Sequence, residues 1–207
     1  VEMADFDSPA PSPDGKRVAF RVMRASVERN TYDSSWYVQP LDGGTPPLRV
    51  ADGGVPLRDS AGIPEPAAPV WSPDGRWLYY RACIDGRIDV WRAAADGSAV
   101  QRITGDDADV RRFELSGDGT QLRYGIGPAR AQLAEAERAE YDGGILLDRS
   151  TPLGQPLFRS GYTGGRPATQ RLGLMFNRVG LMDAVPTRWR AIALTTGEVR
   201  DLPASWQ

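Results

Sequence analysis

The sequence predicts an all-β protein, an antiparallel β-propeller, and two observations carry that prediction. A Ser-Pro-Asp-Gly motif starts at Ser12, recurs at Ser72 and returns in degraded form at Ser116, so the copies lie 60 and 44 residues apart. A repeat of about 40–45 residues is typical of a four-stranded propeller blade. Gly and Pro supply 23 and 17 of the 207 residues, a turn-rich composition that suits many short strands.

The repeated motif has the chemistry of a tight turn. Proline presets φ near −65°, aspartate bonds to nearby backbone, and glycine accepts a positive φ. Aromatic and aliphatic residues, which favour strands, follow the second copy as Trp77-Leu78-Tyr79-Tyr80. A turn between two such runs predicts a β-hairpin.

The second unit can be followed through a whole blade. Its predicted strands are Pro69–Ser72, Arg76–Cys83, Ile88–Arg92 and Val100–Thr104. Asp-Gly pairs, which favour hairpin turns, separate the later strands. Four short antiparallel strands in this span make one blade.

The first unit follows the same plan less regularly. Its predicted strands are Val18–Val22, Ser34–Val38 and Leu48–Val50. The link from Arg24 to Asp33 is interpreted as a loop inserted between two strands. No late strand is predicted to complete this first blade.

The third unit starts with two strands, Val110–Leu115 and Gln121–Ile126, and then changes character. Residues 129–142 lack Gly, Pro and β-branched residues and are rich in Ala, Glu, Arg, Gln and Leu, which predicts a helix ending at Gly143. We interpret it as a surface helix inserted into a blade. The segments Trp189–Leu194 and Val199–Leu202 are interpreted as a hairpin of a fourth unit.

These units divide the chain at about 1–52, 66–105, 108–160 and 161–207. About four blades fit, whereas propellers have 4–8, so we expect a partial ring that belongs to a longer chain. An open arc of blades leaves two blade faces uncovered.

Composition excludes several kinds of active site. The chain has no His and only one Cys, Cys83, so it has no Ser–His pair, thiolate zinc cluster or internal disulfide. The net charge of −2 does not indicate nucleic-acid binding. No apolar run is long enough to cross a membrane. The acidic run from Asp106 to Asp109 fits either a cation site or, as we expect, a solvated turn between blades. We therefore expect no cofactor and no metal.

The motifs resemble a known group of proteins. The run from Pro69 to Tyr80 is similar to the WD40-like repeat of TolB-type propellers and of prolyl-oligopeptidase-type (S9) serine peptidases. Two further stretches, Val27–Asp33 and Gly154–Tyr162, together with the inserted helix, resemble the N-terminal propeller of lasso-peptide isopeptidases from proteobacteria.

This resemblance implies a function that the chain shares with a second domain. Such enzymes carry their Ser, Asp and His in a C-terminal α/β-hydrolase domain, with the Ser on a G-x-S-x-G elbow. This chain contains neither an elbow nor a His, so it is expected to hold no catalytic residue. The propeller would gate access and bind a lasso peptide, whose isopeptide bond the parent enzyme would hydrolyse. Two alternatives stay open: a non-enzymatic, TolB-like protein-binding propeller, and the propeller of a dipeptidyl or acylaminoacyl peptidase.

Candidate contact residues lie in the first unit. Arg24, Arg29 and Tyr32 fall in the predicted loop insertion, and loops on a rigid scaffold commonly carry binding residues. They are predicted to contact the peptide substrate or the hydrolase domain. A single Cys and no visible leader favour the cytoplasm, with the periplasm as the alternative if a leader has been removed.

Overall fold

The computed structural model describes residues 4–28, 31–57, 65, 67, 69–143, 162–163, 166–167 and 185–203. Within these ranges the chain forms fourteen β-strands and one α-helix. The elements are β1 Ala4–Pro11, β2 Arg17–Ser26, β3 Thr31–Pro40, β4 Leu48–Gly54, β5 Val70–Trp71, β6 Trp77–Ile84, β7 Arg87–Ala94, β8 Val100–Arg102, β9 Ala108–Leu115, β10 Gln121–Ala129, α1 Arg130–Gly143, β11 Tyr162–Thr163, β12 Arg166–Pro167, β13 Arg188–Ala193 and β14 Val199–Asp201. The prediction of an all-β chain with one inserted helix is confirmed.

Twelve of the fourteen strands form three four-stranded antiparallel sheets, of which the first two are hydrogen-bonded to each other as one eight-stranded array. The first sheet contains β1–β4, the second β5–β8, and the third has the order β14-β13-β10-β9. One parallel pair, Gly54 with Cys83, joins the edge of the first sheet to the second. The short strands β11 and β12 pair with each other. Four antiparallel strands per sheet is the plan of a propeller blade.

The first sheet contains a strand that the sequence analysis did not predict. Strand β1 pairs with β2 from Ala4↔Arg24 to Pro11↔Val18, and its register shifts between Asp7 and Ala10. Ser8 at that shift has a φ of 56°. Prolines in strands are confined to edges and bulges, so this proline-containing segment looks like a loop in sequence although it completes the first blade.

The predicted loop between Arg24 and Asp33 is wrong. Strand β2 continues to Ser26 and β3 begins at Thr31, so the two strands form one long hairpin. Arg24 and Asp33 are directly opposite each other in this ladder. Opposite charges at paired positions stabilise a hairpin, which explains why polar residues here extend the strands.

The prediction that the C-terminal hairpin belongs to a fourth unit is also wrong. Strand β13 pairs with β10 from Gln121↔Ala193 to Ile126↔Arg188, and β14 pairs with β13. The hairpin therefore completes the third sheet. The insertion that begins with α1 separates β10 from β13 in sequence, and sequence order alone cannot show that two strands so far apart are neighbours.

The helix occupies the predicted place. It spans Arg130–Gly143, against a predicted 129–142, and it starts directly after β10. The backbone N–H of Arg130 donates to the carbonyl of Asp107 at 2.8 Å, and Leu133 is buried. The first turn of α1 is thereby anchored on the turn that precedes β9. No helix among the described residues is long and apolar enough to cross a bilayer.

Two hydrophobic clusters hold the three sheets together. The alternation of side chains along β6 places Leu78 and Tyr80 in the cluster shared with the first sheet, and Tyr79 in the cluster shared with the third. Four of the five predicted strand tryptophans contribute to these interfaces, as expected: Trp36, Trp71, Trp77 and Trp91. The fifth, Trp189, is buried but belongs to neither cluster. The sheets therefore stack face to face in chain order, as blades do.

The face of the first sheet that points away from the second is aromatic. Phe20 and Tyr37 stack with ring centroids 5.7 Å apart, and Phe6, which is 70% exposed, lies 6.0 Å from Phe20. Their neighbours in the chain, such as Ala19 and Trp36, belong to the buried cluster on the opposite face. The outer face of the first blade thus carries a cluster of three aromatic side chains.

The Ser-Pro-Asp-Gly motifs are turns with a shared set of hydrogen bonds. In the second copy the Ser72 hydroxyl donates to Asp74 Oδ1 at 2.5 Å and accepts the backbone N–H of Trp77 at 2.9 Å. Asp74 also accepts the backbone N–H of Arg76 at 3.0 Å. The hydroxyl–carboxylate bond is 2.6 Å long in the other two copies, from Ser12 to Asp14 and from Ser116 to Asp118.

Each turn also packs on the next. The three turn glycines have φ values of 67–70°. A Cβ at Gly119 would lie 2.7 Å from the Cδ of Pro73, whereas a Cβ at Gly15 would meet nothing within 4 Å. Arg17 reaches across to the second turn and donates to the Gly75 carbonyl at 2.9 Å. These contacts align the turns of successive sheets.

We expect Gly119→Ala to destabilise the protein more than Gly15→Ala. Both substitutions place a side chain at a positive φ, which costs about 1–2 kcal/mol. Only Gly119→Ala adds a clash with Pro73, which overpacks the contact by about 1–3 kcal/mol more. Chemical denaturation of the full-length protein measures both changes. Equal losses would show that contact between the turns does not constrain the stack.

Stability is also expected to fall in acid through the turn aspartates. Hydrogen bonds from Ser72 and from backbone amides lower the pKa of Asp74 from 3.8 to about 2, and the same bonding from Ser116 lowers the pKa of Asp118 to about 2. A lowered folded-state pKa stabilises the fold above pH 3.8, and that contribution is lost as the pH falls toward 2. Thermal denaturation should show this drop, and the double variant Asp74→Asn/Asp118→Asn should show a shallower one. An equally steep drop in that variant would assign the acid sensitivity to other groups.

Candidate functional site

A cleft of about 210 Å³ lies where the three sheets approach one another. All three sheets contribute arginines to its lining: Arg21 from β2, Arg81 from β6, and Arg111 and Arg112 from β9. The segment after β4 contributes Glu65. The remaining walls are apolar and consist of Leu57, Ala67, Val70 and Phe113.

Two of these arginines occupy the same place in the repeat. Arg21 and Arg81 each follow the turn serine, Ser12 or Ser72, by nine residues. Identical turns start β2 and β6, so equivalent positions in the two strands point the same way. This regularity is the sequence signal from which the cleft could have been predicted, although it was not.

The guanidinium of Arg21 is held firmly. Its Nε donates to Asp7 Oδ1 at 2.8 Å, its Nη2 donates to the other oxygen of Asp7, and Nη2 also donates to the Glu65 carbonyl at 3.0 Å. The side chain is only 5% exposed. A two-pronged bond to one carboxylate both neutralises and orients the guanidinium.

Arg81 ties the cleft together from the second sheet. Its Nη2 donates to Glu65 Oε2 at 2.6 Å, and its Nη1 donates to the Arg111 carbonyl on β9. Burial lowers the pKa of Arg81, and the nearby Glu65 carboxylate opposes that shift. Because an arginine pKa lies so far above 7, the guanidinium stays charged at neutral pH.

The third sheet supplies its arginines differently. The position equivalent to Arg21 and Arg81 is Gly125, and a Cβ there would lie 2.5 Å from Thr187 Cγ2. The missing side chain leaves room for Thr187, whose hydroxyl accepts from Arg111 Nη1 at 3.1 Å. Arg111 also needs Gly127, because a Cβ at that glycine would lie 2.9 Å from the arginine Nε.

Arg112 also borders the cleft, and its side chain packs on a tryptophan. Its guanidinium carbon lies 5.7 Å from the centroid of the Trp189 ring, and its side chain is exposed. A cation over an indole face is attracted by the ring while its N–H groups remain available in the plane of the guanidinium. The cleft therefore combines positively charged hydrogen-bond donors with an apolar wall.

Two of the three residues singled out in the sequence lie elsewhere. Arg24 is an exposed residue of β2, and Tyr32 is 40% exposed on β3. Neither lines the cleft, and both belong to a strand ladder rather than to the loop that was predicted. Arg29 lies outside the described residues. Contact of these three residues with substrate or with a hydrolase domain stays a prediction.

The acidic run before β9 faces arginines. Asp109 Oδ1 lies 2.8 Å from Arg130 Nη1, and Asp106 pairs with Arg190 on β13. Within the part of the chain that the structure describes, no three potential ligand side chains are grouped so as to hold a metal ion. These carboxylates fasten the helix and β13 to the start of the third sheet.

Comparison with solved structures identifies the class of fold. The β-propeller domain of the Trilobed protease from Pyrococcus furiosus matches with a TM-score of 0.52, 14% identity and coverage of 97% of this chain and 43% of that one. The acylaminoacyl peptidase of Pyrococcus horikoshii gives a TM-score of 0.56, 16% identity and coverage of 97% and 25%. At such identities the two matches show a shared fold alone, and that fold is a β-propeller.

A sequence relationship narrows the class. The chain is homologous to the lasso peptide isopeptidase AtxE2 of Asticcacaulis excentricus, with 30% identity over 167 residues, 75% of this chain and 23% of the relative. A solved variant of that isopeptidase with Astexin3-dC4 bound matches at a TM-score of 0.69 and 26% identity, over 98% of this chain and 31% of that one. No family model matches the chain. The resemblance inferred from the motifs is confirmed.

The match covers only part of each relative. The chain spans between 15% and 26% of the length of the curated relatives that it matches. What those proteins do as wholes therefore enters only as a proposal for this one.

A double-mutant cycle should measure how strongly the cleft is braced by Arg81 and Glu65. Their side chains are 22% and 32% exposed, so Arg81→Met and Glu65→Gln should show a coupling energy of about 1–3 kcal/mol in the free energy of unfolding. The matched control is the pair Arg76 and Asp74, whose side chains are 79% and 46% exposed. Water screens that pair, so its coupling should be about 0–1 kcal/mol. Coupling no larger than the control's would mean that the buried pair does not brace the cleft.

Proposed function

We propose that this chain is the propeller of an S9-like serine peptidase that hydrolyses the isopeptide bond of lasso peptides. The observation that carries the proposal is the combined match to the AtxE2 isopeptidase, which covers 75% of this chain in sequence and 98% in structure. Catalysis is assigned to an α/β-hydrolase domain of the same polypeptide. The chain itself is proposed to contribute no catalytic group.

The role of the propeller in this proposal is to gate the active site and to hold the substrate. The cationic cleft supports a binding role, since it presents fixed guanidinium groups beside an apolar wall. A threaded peptide is bulky, and a rigid stack of sheets would admit it in few orientations. In the proposed reaction the serine oxygen attacks the isopeptide carbonyl, the amine leaves with a proton, and water then releases the acyl group from the serine.

A peptidase that cuts ordinary linear peptides is the second candidate. It is favoured by the structural match to an acylaminoacyl peptidase and by 26% identity over 113 residues to dipeptidyl-peptidase 5 of Porphyromonas endodontalis. These two relatives also favour a peptidase over a TolB-like binding protein, because both are named as peptidases.

The two candidates predict different products from the full-length protein. Incubation with a lasso peptide should yield a species heavier by one water, in which tandem mass spectrometry locates the free amino terminus and the ring carboxylate. A linear dipeptide amide should be cleaved at least about tenfold more slowly, which corresponds to about 1.4 kcal/mol in transition-state stabilisation. Replacement of the hydrolase nucleophile by alanine is the control. Cleavage of the dipeptide amide with an intact lasso ring would refute the isopeptidase assignment in favour of the second candidate.

A further inference from the structure

The first sheet carries an aromatic residue at a position that the other two sheets bury. Eight residues after each turn serine, the equivalent positions are Phe20, Tyr80 and Tyr124. Tyr80 belongs to the cluster shared with the first sheet and Tyr124 to the cluster shared with the second, and they are 0% and 1% exposed. Each tyrosine therefore packs against the sheet that precedes its own in the chain. Phe20 is only half-buried and belongs to neither cluster.

The residues six and ten positions after the turn serine follow the same rule. In the second and third sheets they are at most 1% exposed and belong to the same two clusters: Leu78, Ala82, Leu122 and Ile126. In the first sheet the equivalent Val18 is half-buried, and the equivalent Val22 is paired with Phe6, which is 70% exposed. The first sheet thus has the residue pattern that faces a preceding sheet, and no described sheet precedes it.

These side chains form one continuous surface, the aromatic face, which consists of Phe6, Val18, Phe20, Val22 and Tyr37. Alternate residues of a strand share a face of the sheet, and residues paired across the ladder are neighbours on that face. Phe6 is paired with Val22, and Tyr37 is paired with Phe20. Contiguous apolar surface of this kind marks an interaction site in a folded protein.

The way in which a partner packs here follows from the strand count. The first sheet already has the four strands of a blade, β1 to β4. A partner therefore packs its side chains against the aromatic face, as the second and third sheets pack against their predecessors, and has no strand position left to fill in this blade.

The size of the relatives favours a partner in the same polypeptide. The chain covers 23% of the related isopeptidase in sequence and 31% of the solved chain in structure. Three sheets are described, whereas propellers have 4–8 blades. A sheet that is tethered to the same polypeptide has a high effective concentration at this face, so it competes well against a second molecule.

We propose that the aromatic face is covered by a further four-stranded sheet of the same polypeptide, from outside residues 1–207, which closes the propeller through side-chain packing alone. Phe20 then has the environment that Tyr80 and Tyr124 have in their own sheets. This interface does not depend on which bond the protein cleaves.

Hydroxyl-radical footprinting of the full-length protein tests whether the aromatic face is covered. The modification rate of each residue is measured in the native protein and in urea, and the ratio of the two rates cancels the intrinsic reactivity of the ring. Phe6 should be protected to the same degree as the buried Tyr80 and Tyr124. Tyr32, which is 40% exposed, is the accessible reference. Phe6 that reacts as readily as Tyr32 would show an uncovered face and overturn the proposal.

Photocrosslinking then identifies what covers the face. The photoreactive amino acid p-benzoylphenylalanine is placed at the position of Phe6 in the full-length protein, and tandem mass spectrometry locates the crosslinked segment. We expect a species of monomer mass that is crosslinked to a strand of a propeller sheet outside residues 1–207. The same amino acid at the position of Val100 is the matched control, because Val100 is 45% exposed on β8, away from the aromatic face, and should not reach that segment.

Three crosslinking results would overturn the proposal: a species of twice the monomer mass, which assigns the face to a second copy, a crosslink within residues 1–207, or a crosslink to the hydrolase domain. Failure of the protein to open a lasso ring would contradict the proposed function and leave both measurements readable.

Discussion

Burial of both faces of the second sheet is the constraint on which the other contacts depend. Along β6, Leu78 and Tyr80 pack against the first sheet, while Tyr79 between them packs against the third. A strand that is apolar on both sides is stable only between two layers. The middle sheet therefore requires a neighbour on each side, and this stacking brings the arginines of three different sheets to one cleft.

The repeated turns align successive sheets of this stack with one another. Each turn bonds its serine hydroxyl to its own aspartate, and Gly119 lies against Pro73 of the turn before it. Because β2 and β6 begin at equivalent turns, residues at the same number of positions after the turn serine occupy equivalent places. Arg21 and Arg81 both reach the cleft for this reason. In the third sheet the position equivalent to Arg21 and Arg81 is Gly125, which has no side chain. Thr187 fills the space beside it and accepts a hydrogen bond from Arg111.

The cleft is lined mainly by arginines, although the chain as a whole has a net charge of −2. Asp7 and Glu65 each neutralise one arginine, and in doing so they hold the linker after β4 against the sheets. These ion pairs are partly buried, so they depend on the geometry of the stack for their strength. The homology to a lasso peptide isopeptidase is the basis on which peptide binding is proposed for this surface.

The blade repeat, the turns, the strands of the second unit and the helix near 130–143 could be predicted from the sequence, because turn chemistry and residue propensity act over a few neighbouring residues. The sequence did not reveal β1, whose Pro9 lies at a bulge, or the extension of β2 and β3 past Arg24. It also could not show that β13 pairs with β10, since that contact spans the whole insertion. The cleft was decided partly in the same way. The repeat places Arg21 and Arg81 at equivalent positions, but Arg81 meets Glu65 and Arg111 meets Thr187 only after the sheets stack, and no periodicity along the chain encodes those two contacts.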